Sequence, residues 1–366
     1  MIGTYTLTTA DADRWRAVLP ADVSVSGSLE YVRICERETG WPGRLFVVEN
    51  GAPVAAYPYF LRPAHKLPFA SGIEEPWFDT CTTEYRGPLW LNGGIPEGAD
   101  VPKFPELFAR HCREERIIAE FAHLSPWISG ELLQTDCIEV NREIVYVDLT
   151  KTAEEIWTRS FSSDARRQTK QGQRAGVRVR RAVSTDDVRE FHRLYTQTME
   201  RRDATDRYFY PFEYFLGFFE TMAANAFFVL AEYEGRVVAG GLFFQDRTEL
   251  HWHLSAADRE YGHVRPVNVY LYETICQALG QGRERMIMGG GYQKGDGVFH
   301  FKANFSPLRA RFFTYRRVHD AAAYAALTGA WSGFHSGARP RDDFFPAYRA
   351  TPALDMLAPA PNVPAA

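Results

Sequence analysis

The chain has 366 residues, 45% hydrophobic and 14% aromatic, enough for two domains with full-sized cores. No apolar run approaches the roughly 20 residues of a membrane helix, and a net charge of −4 argues against a surface that attracts nucleic acid everywhere. Five scattered cysteines (Cys35, Cys81, Cys112, Cys137, Cys276), with no CxxC pair and no histidine cluster at ligand spacing, exclude a disulfide framework and a metal site; with a start (MIGTYTLTTADADRW) that is neither basic nor apolar, they predict the reducing cytoplasm.

In chain order, residues 1–27 predict an opening strand and a short helix. Leu29, Glu30 and Tyr31 open an apolar-periodic helix, and RLFVVENGAPVAAYPYF predicts a hairpin turning at Asn50 and Gly51. From 58 to about 98, proline and glycine breakers leave loops and short strands around TEYRGPLW. A helix over 104–115 leads to the strand IIAEFAHL, and REIVYVDL is a further strand ending near Leu149. There KTAEEIWTRSF starts a helix, with Thr152 as N-cap and Glu155 three residues on. Helices are expected to continue to about Glu220, broken at Gly176 and around Pro211. A second hairpin, AFFVLAEYEGRVVAGGLFF, turns at Glu234 and Gly235. The strand LHWHLSAA, a loop over 258–265, a helix over about 266–279, the strand RMIMGG and a last strand, RARFFTYRRV, follow. Beyond Pro340 the tail is rich in proline and alanine, and 351–366 is expected to be mobile.

The helix and hairpin occur twice, at offsets of 182 to 184 residues (Tyr31 to Tyr214, Phe46 to Phe228, Gly51 to Gly235). Recurrence in register argues for a duplicated domain. The predicted division is an N-terminal domain over 1–150, a second over 151–320 and an extension over 321–366.

Two segments carry chemistry. The stretch 289–305 places three glycines after a strand, where a bare backbone can approach a ligand closely, and then sets Lys302 between Phe301 and Phe305. An ammonium there is suited to an ester carbonyl whose oxygen turns negative under attack by an amine; a lysine stem lying over two rings is the structural alternative. The run 159–181 holds Arg159, Arg166, Arg167, Lys170, Arg174, Arg178, Arg180 and Arg181 against one acid, Asp164. On a helix, Arg166, Lys170 and Arg174 share a face and can follow a phosphate backbone, or form a solvated surface. For proton transfer from an amine, the candidates are His251, His253, Glu273, Asp296 and His300. Among the crowded rings near 208–219, Tyr208 and Tyr210 lie nearest the rim expected to meet the acceptor. Tyr85 and Arg86 precede Gly87 and Pro88 in a loop where Arg86 is placed to hold a carboxylate or phosphate.

The second half runs helix, helix, hairpin, strand, loop, helix, strand, loop, strand. That order, its duplication, and the segments TEYRGPLW, IWTRSFSSDARRQTKQGQRAGVRVRRA, HRLYTQTMERRDATDRYFYPFEYF and above all GGGYQKGDGVFHFKANFSP resemble the FemABX-like branch of the GNAT acyltransferases over about 20–320. The resemblance implies an α/β (α+β) fold of tandem GNAT-like domains, each a mixed twisted sheet flanked by helices. It implies transfer of an aminoacyl group from charged tRNA, the co-substrate in place of any cofactor, to an amine on a natural-product scaffold or cell-wall peptide precursor. Lys302, Asp296 and His253 would be catalytic. Phe301, Tyr292, Arg86, Tyr85, Tyr208 and Tyr210 would bind substrate, and Arg166, Arg167, Lys170 and Arg174 would bind tRNA. Relatives that use coenzyme A carry a (Gln or Arg)-x-x-Gly-x-(Gly or Ala) loop; here Arg259 and Gly262 fit it, whereas Val264 and Pro266 depart from it. An acyl-CoA or carrier-protein donor is the alternative. Neither membrane insertion nor a particular oligomer is predicted.

Overall fold

A computed structural model describes residues 2–22, 25–72, 75–82, 87–91, 103–127, 132–291 and 295–352. In chain order the elements are β1 (Gly3–Thr8), α1 (Ala12–Val18), α2 (Leu29–Thr39), β2 (Gly43–Glu49), β3 (Pro53–Pro63), β4 (Phe78–Cys81), β5 (Leu89–Trp90), α3 (Phe104–Glu114), β6 (Ile117–Leu124) and β7 (Ile138–Asp148). Next come α4 (Ala153–Glu155), continued by a π-helical turn (Ile156–Ser160), then α5 (Ser163–Ala175), β8 (Arg178–Arg181), α6 (Thr185–Arg201), α7 (Phe212–Thr221), β9 (Ala226–Tyr233), β10 (Arg236–Gln245) and β11 (Glu249–Ala257). A 3-10 turn (Glu260–Val264), α8 (Pro266–Ala278), β12 (Arg285–Gly289), α9 (Gly297–Ala303), β13 (Arg309–Val318) and α10 (Ala321–Phe334) complete the order.

Both predicted hairpins form, β2 with β3 and β9 with β10. The predicted N-cap at Thr152 is a reciprocal capping box with Glu155. Two expectations need correction. The helix read through 178–181 ends at Ala175, and Arg178–Arg181 forms a strand beside β9, pairing Arg178 with Glu232. Its alternation, with Val179 packed on the core and the flanking arginines outward, has a period of two rather than 3.6. The segment after β13, for which the sequence predicts no element, is the helix α10; its alanine-rich composition gives only a weak apolar stripe.

Contacts divide the chain into two compact units that are not contiguous in sequence: 1–6, 41–139 and 313–366 in the first, 7–40 and 140–312 in the second. The predicted cut near 150 is by contrast a single one. In the first unit the strand order is β1-β2-β3-β4-β6-β13, with β5 on β3. Phe104, Leu107 and Phe108 of α3 pack on Phe46, Tyr57 and Tyr59. Leu327 and Trp331 of α10 join Ala119 and Tyr348 in a second core, where the Trp331 indole N–H donates to Ala350 O at 3.0 Å.

The second unit orders its strands β7-β12-β11-β10-β9-β8. Successive residues of β10 face opposite layers, as strand geometry requires. Phe243 packs with Trp252 and Tyr270 in the core beneath α5 and α8. Phe244 meets Phe218 of α7 and Tyr31 of α2.

Candidate functional site

The site begins with a gap between strands. β11 and β12 are parallel and pair only at Glu249 with Arg285, Leu250 with Met286 and His251 with Ile287. Beyond that point β11 runs on from Trp252 to Ala257 with no β12 residue in register, so the ladder opens. In the first unit the corresponding parallel pair, β4 with β6, stays together along the whole of β4, from Phe78 opposite Ile117 to Cys81 opposite Phe121.

The predicted glycine bend follows β12. Gly289 has φ +78°, and a Cβ on Gly290 would stand 3.0 Å from Glu143 O, so side chains are excluded by both backbone conformation and space. The bend leaves the Gly290 carbonyl free to accept from Lys302 Nζ at 2.7 Å. Lys302 comes from α9, whose N-terminus is capped by Asp296, with Oδ1 accepting from Phe299 N–H at 2.8 Å. The ammonium lies 5.5 Å from the centre of the Trp252 ring. Lys302 therefore spans the gap, from a β11 side chain to the backbone after β12. Burial of the ammonium pushes its pKa down to about 8, with the Asp296 carboxylate acting in the opposite sense.

The sequence placed Lys302 between Phe301 and Phe305; in three dimensions Trp252 provides the ring beneath the charge. Phe301 lies 6.4 Å from Trp252 and 5.3 Å from Phe305, and Phe305 is fully buried edge-on to Phe161 at 5.1 Å. Trp252 was missed because it is 50 positions away along the chain, although its place between two histidines signalled that it faces away from them.

His251 and His253 do share a side, as their alternation predicted, and it is the layer opposite Trp252. His253 stacks on Phe244 at 4.3 Å, with Tyr214 OH 3.4 Å from its Nε2. The ladder with β10 slips between Leu242 and Phe243, which pair with Leu254 and Trp252, so His253 is the extra residue of a bulge. Tyr210 stacks on Tyr214 at 4.2 Å and joins this assembly, whereas the hydroxyl of Tyr208 accepts from Arg207 at 2.7 Å. Lys302 and Asp296 thus lie on one side of the sheet while His253, with Tyr214 and Tyr210, lies on the other. Burial raises the pKa of Glu273 on α8. Tyr85, Arg86 and Tyr292 lie outside the described residues.

The basic run divides by role. Arg166 turns back on its own chain and donates to the carbonyls of Trp157, Thr158 and Phe161 at 3.2, 3.2 and 2.5 Å, closing the π-helical turn. Arg167 pairs with Asp164 at 2.7 Å. Lys170 is exposed with its ammonium 5.6 Å from the Trp157 ring centre, and Arg174 is exposed. Arg180 is held by Asp187 and Glu232, both at 2.7 Å.

α5 lies tightly against the start of α8. A Cβ on Gly172 would stand 2.5 Å from Val269 Cγ2 and 2.7 Å from the Val264 carbonyl. Gly172→Ala is therefore expected to cost about 1–3 kcal/mol, read as a lower midpoint in urea denaturation with an unchanged slope. The loop before α8 is wound on itself: Gly262 N–H donates to Arg259 O at 3.1 Å, Arg265 N–H to Gly262 O at 3.2 Å, and Gln171 Nε2 to His263 O at 2.9 Å. The amides of Gly262 and Arg265 are thereby used internally, and Pro266 has no N–H to offer. Among the described residues, no cluster of His, Cys, Asp and Glu is placed to hold a metal, and no helix is long and apolar enough to cross a membrane.

Residues 159–303 match the family model described as an acetyltransferase (GNAT) domain. The fold is similar to that of FemX, with a TM-score of 0.63 at 13% identity over 88% of this chain and 99% of that one. It is also similar to the C-terminal DUF2156 domain of a protein named as a lysylphosphatidylglycerol synthetase from Agrobacterium fabrum (TM-score 0.51, 15% identity, 88% and 96% coverage). A Bacteroides thetaiotaomicron protein of unknown function has a TM-score of 0.52 at 12% identity, with 86% and 99% coverage. No protein of curated function matches the sequence. The fold is α/β, with a GNAT domain matched over 159–303 and a chain-wide fold like that of FemX. The likeness to FemX extends over most of the chain and is one of fold, in line with the resemblance carried by the closing motif.

Proposed function

We propose that the chain is an N-acyltransferase that moves an aminoacyl group from charged tRNA to an amine, on a natural-product scaffold or a cell-wall peptide precursor. The observation that carries this reading is the Lys302 ammonium, held over Trp252 and against Gly290 O at the opening between β11 and β12. The acceptor amine attacks the ester carbonyl carbon, and a C–N bond forms as the carbonyl electrons move to oxygen. Lys302 stabilises that oxyanion. Collapse breaks the ester C–O bond, and the ribose oxygen leaves with the proton lost by the amine. His253, beside Tyr214 in the layer opposite Lys302, would take that proton in transit from an amine entering on its own side of the sheet. Asp296 caps the helix that carries Lys302 and supports its charge.

The donor's RNA lies along the exposed side of α5, where Lys170 and Arg174 face solvent. The internally bonded loop over 259–265 favours this donor over coenzyme A. Such a donor implies action in the cytoplasm. The test pairs mixed charged tRNAs with a pool of small amines, and acyl-CoAs and acyl carrier proteins with the same pool, read by mass. Amide products are expected with the charged tRNAs alone and should vanish after ribonuclease treatment; products that need only a thioester would overturn the reading. Lys170→Glu with Arg174→Glu should weaken tRNA binding and reduce the slope of log affinity against log salt by about 1–2, measured by filter binding across a salt series.

A further inference from the structure

The helix bearing Lys302 is joined to the basic helix by a clasp that neither the motif nor the charge pattern announces. Ser162 is the N-cap of α5, its Oγ accepting from Ala165 N–H at 3.0 Å. The same hydroxyl donates to Asn304 Oδ1 at 2.9 Å, and the Ser162 backbone N–H donates to Asn304 O at 2.8 Å. Beside these bonds, Phe161 meets Phe305 edge-on at 5.1 Å. Asn304 also donates through Nδ2 to His300 O at 3.2 Å, and Phe305 N–H donates to Lys302 O at 3.0 Å, so the turn containing Lys302 is tied at its C-terminal end. On the other side of the clasp Arg166 holds the carbonyls of Trp157, Thr158 and Phe161, which fixes the chain entering α5. α9 has seven residues, too few to hold its own position without external partners.

We propose that Asn304, through Ser162, is a positioning residue for acyl transfer: it locks α9 to α5, so that Lys302 and the exposed cations Lys170 and Arg174 form one rigid frame. The inference rests on the proposed reaction, and it deepens that reading by saying how the backbone-binding surface and the carbonyl-facing lysine are kept in register. A side chain displaced by about 1 Å can lose much of its effect on a reacting carbonyl, so the frame matters more than either helix alone.

The experiment reads Lys302 directly. Trace labelling of the full chain with acetic anhydride across a pH series, quantified by mass at Lys302, gives the pH of half-reactivity. This should be about 8 in the unmodified protein. In Asn304→Ala the clasp loses its side-chain acceptor, the ammonium becomes more hydrated, and the half-reactivity pH should rise by about one unit or more. Ser162→Gly removes the same hydroxyl with little cost as an N-cap and should give the same rise. Ser162→Thr keeps the hydroxyl and should stay at the unmodified value. In turnover, Asn304→Ala should lower kcat about tenfold with little change in KM. An unmoved half-reactivity pH in both Asn304→Ala and Ser162→Gly overturns the proposal. Labelling needs no donor, so this outcome is separate from the failure of any charged tRNA to support transfer.

Discussion

Lys302→Ala is expected to lower turnover by about 10²–10³, with the apparent affinity for the donor changed far less. The ammonium is anchored to Gly290 O and seated over Trp252, so its electrostatic effect is in place before any carbonyl arrives. Such preorganised charge acts most on the negative oxygen that exists only near the transition state. The pH dependence gives a second reading of the same group. Burial lowers its pKa to about 8; below that value the charged form dominates, and above it the charge is lost. A donor of positive charge therefore predicts a rate that falls as pH rises through about 8. A rate that rises through the same pH would identify the neutral amine as a base, and near-normal turnover in Lys302→Ala would remove the residue from the chemistry. Single-turnover measurements over a pH series make the distinction.

Asp79→Ala should have the largest effect on stability. Asp79 is fully buried in the first unit; one carboxylate oxygen engages Arg62, and the other accepts from Arg349 Nε at 2.7 Å and Tyr348 OH at 3.1 Å. Removing it leaves two guanidiniums confined without their anion, a change that typically costs about 3–5 kcal/mol. The thermal midpoint should fall by on the order of 10 °C. Arg349 and Tyr348 lie in the extension beyond β13, so the loss should be accompanied by exposure of Trp331, whose indole bonds to Ala350 O, and by a red shift of its fluorescence. A loss under about 1 kcal/mol would mean that the extension is held by apolar packing alone.

The legible parts of the fold were those with a strong local period. The two hairpins, the helix over α3 and the box at Thr152 could be read because alternation, apolar spacing and capping are written within a few residues of one another. β8 could not, because three arginines around a single valine after a basic helix look like more of that helix until β9 is seen to lie alongside. α10 was hidden by its alanines, which carry helix propensity and little pattern. At the site, the glycine bend and Lys302 could be found from the chain alone, since both belong to one segment. Trp252, Asn304 and Ser162 could not, because their importance lies in partners 50 to 142 positions away. Arg166 shows the same limit in reverse: three carbonyls of its own chain occupy a group that the spacing assigned to a phosphate backbone.

The contrast between the two parallel ladders carries a prediction about stoichiometry. Duplication would ordinarily give a chain two equivalent clefts, but β4 remains zipped to β6 along its full length while β11 parts from β12 after three pairs. A ladder closed by hydrogen bonds admits no guest between its strands, so the proposed reaction is expected to use the second unit alone. Each chain should then be saturated by a single equivalent of acyl donor in a binding titration.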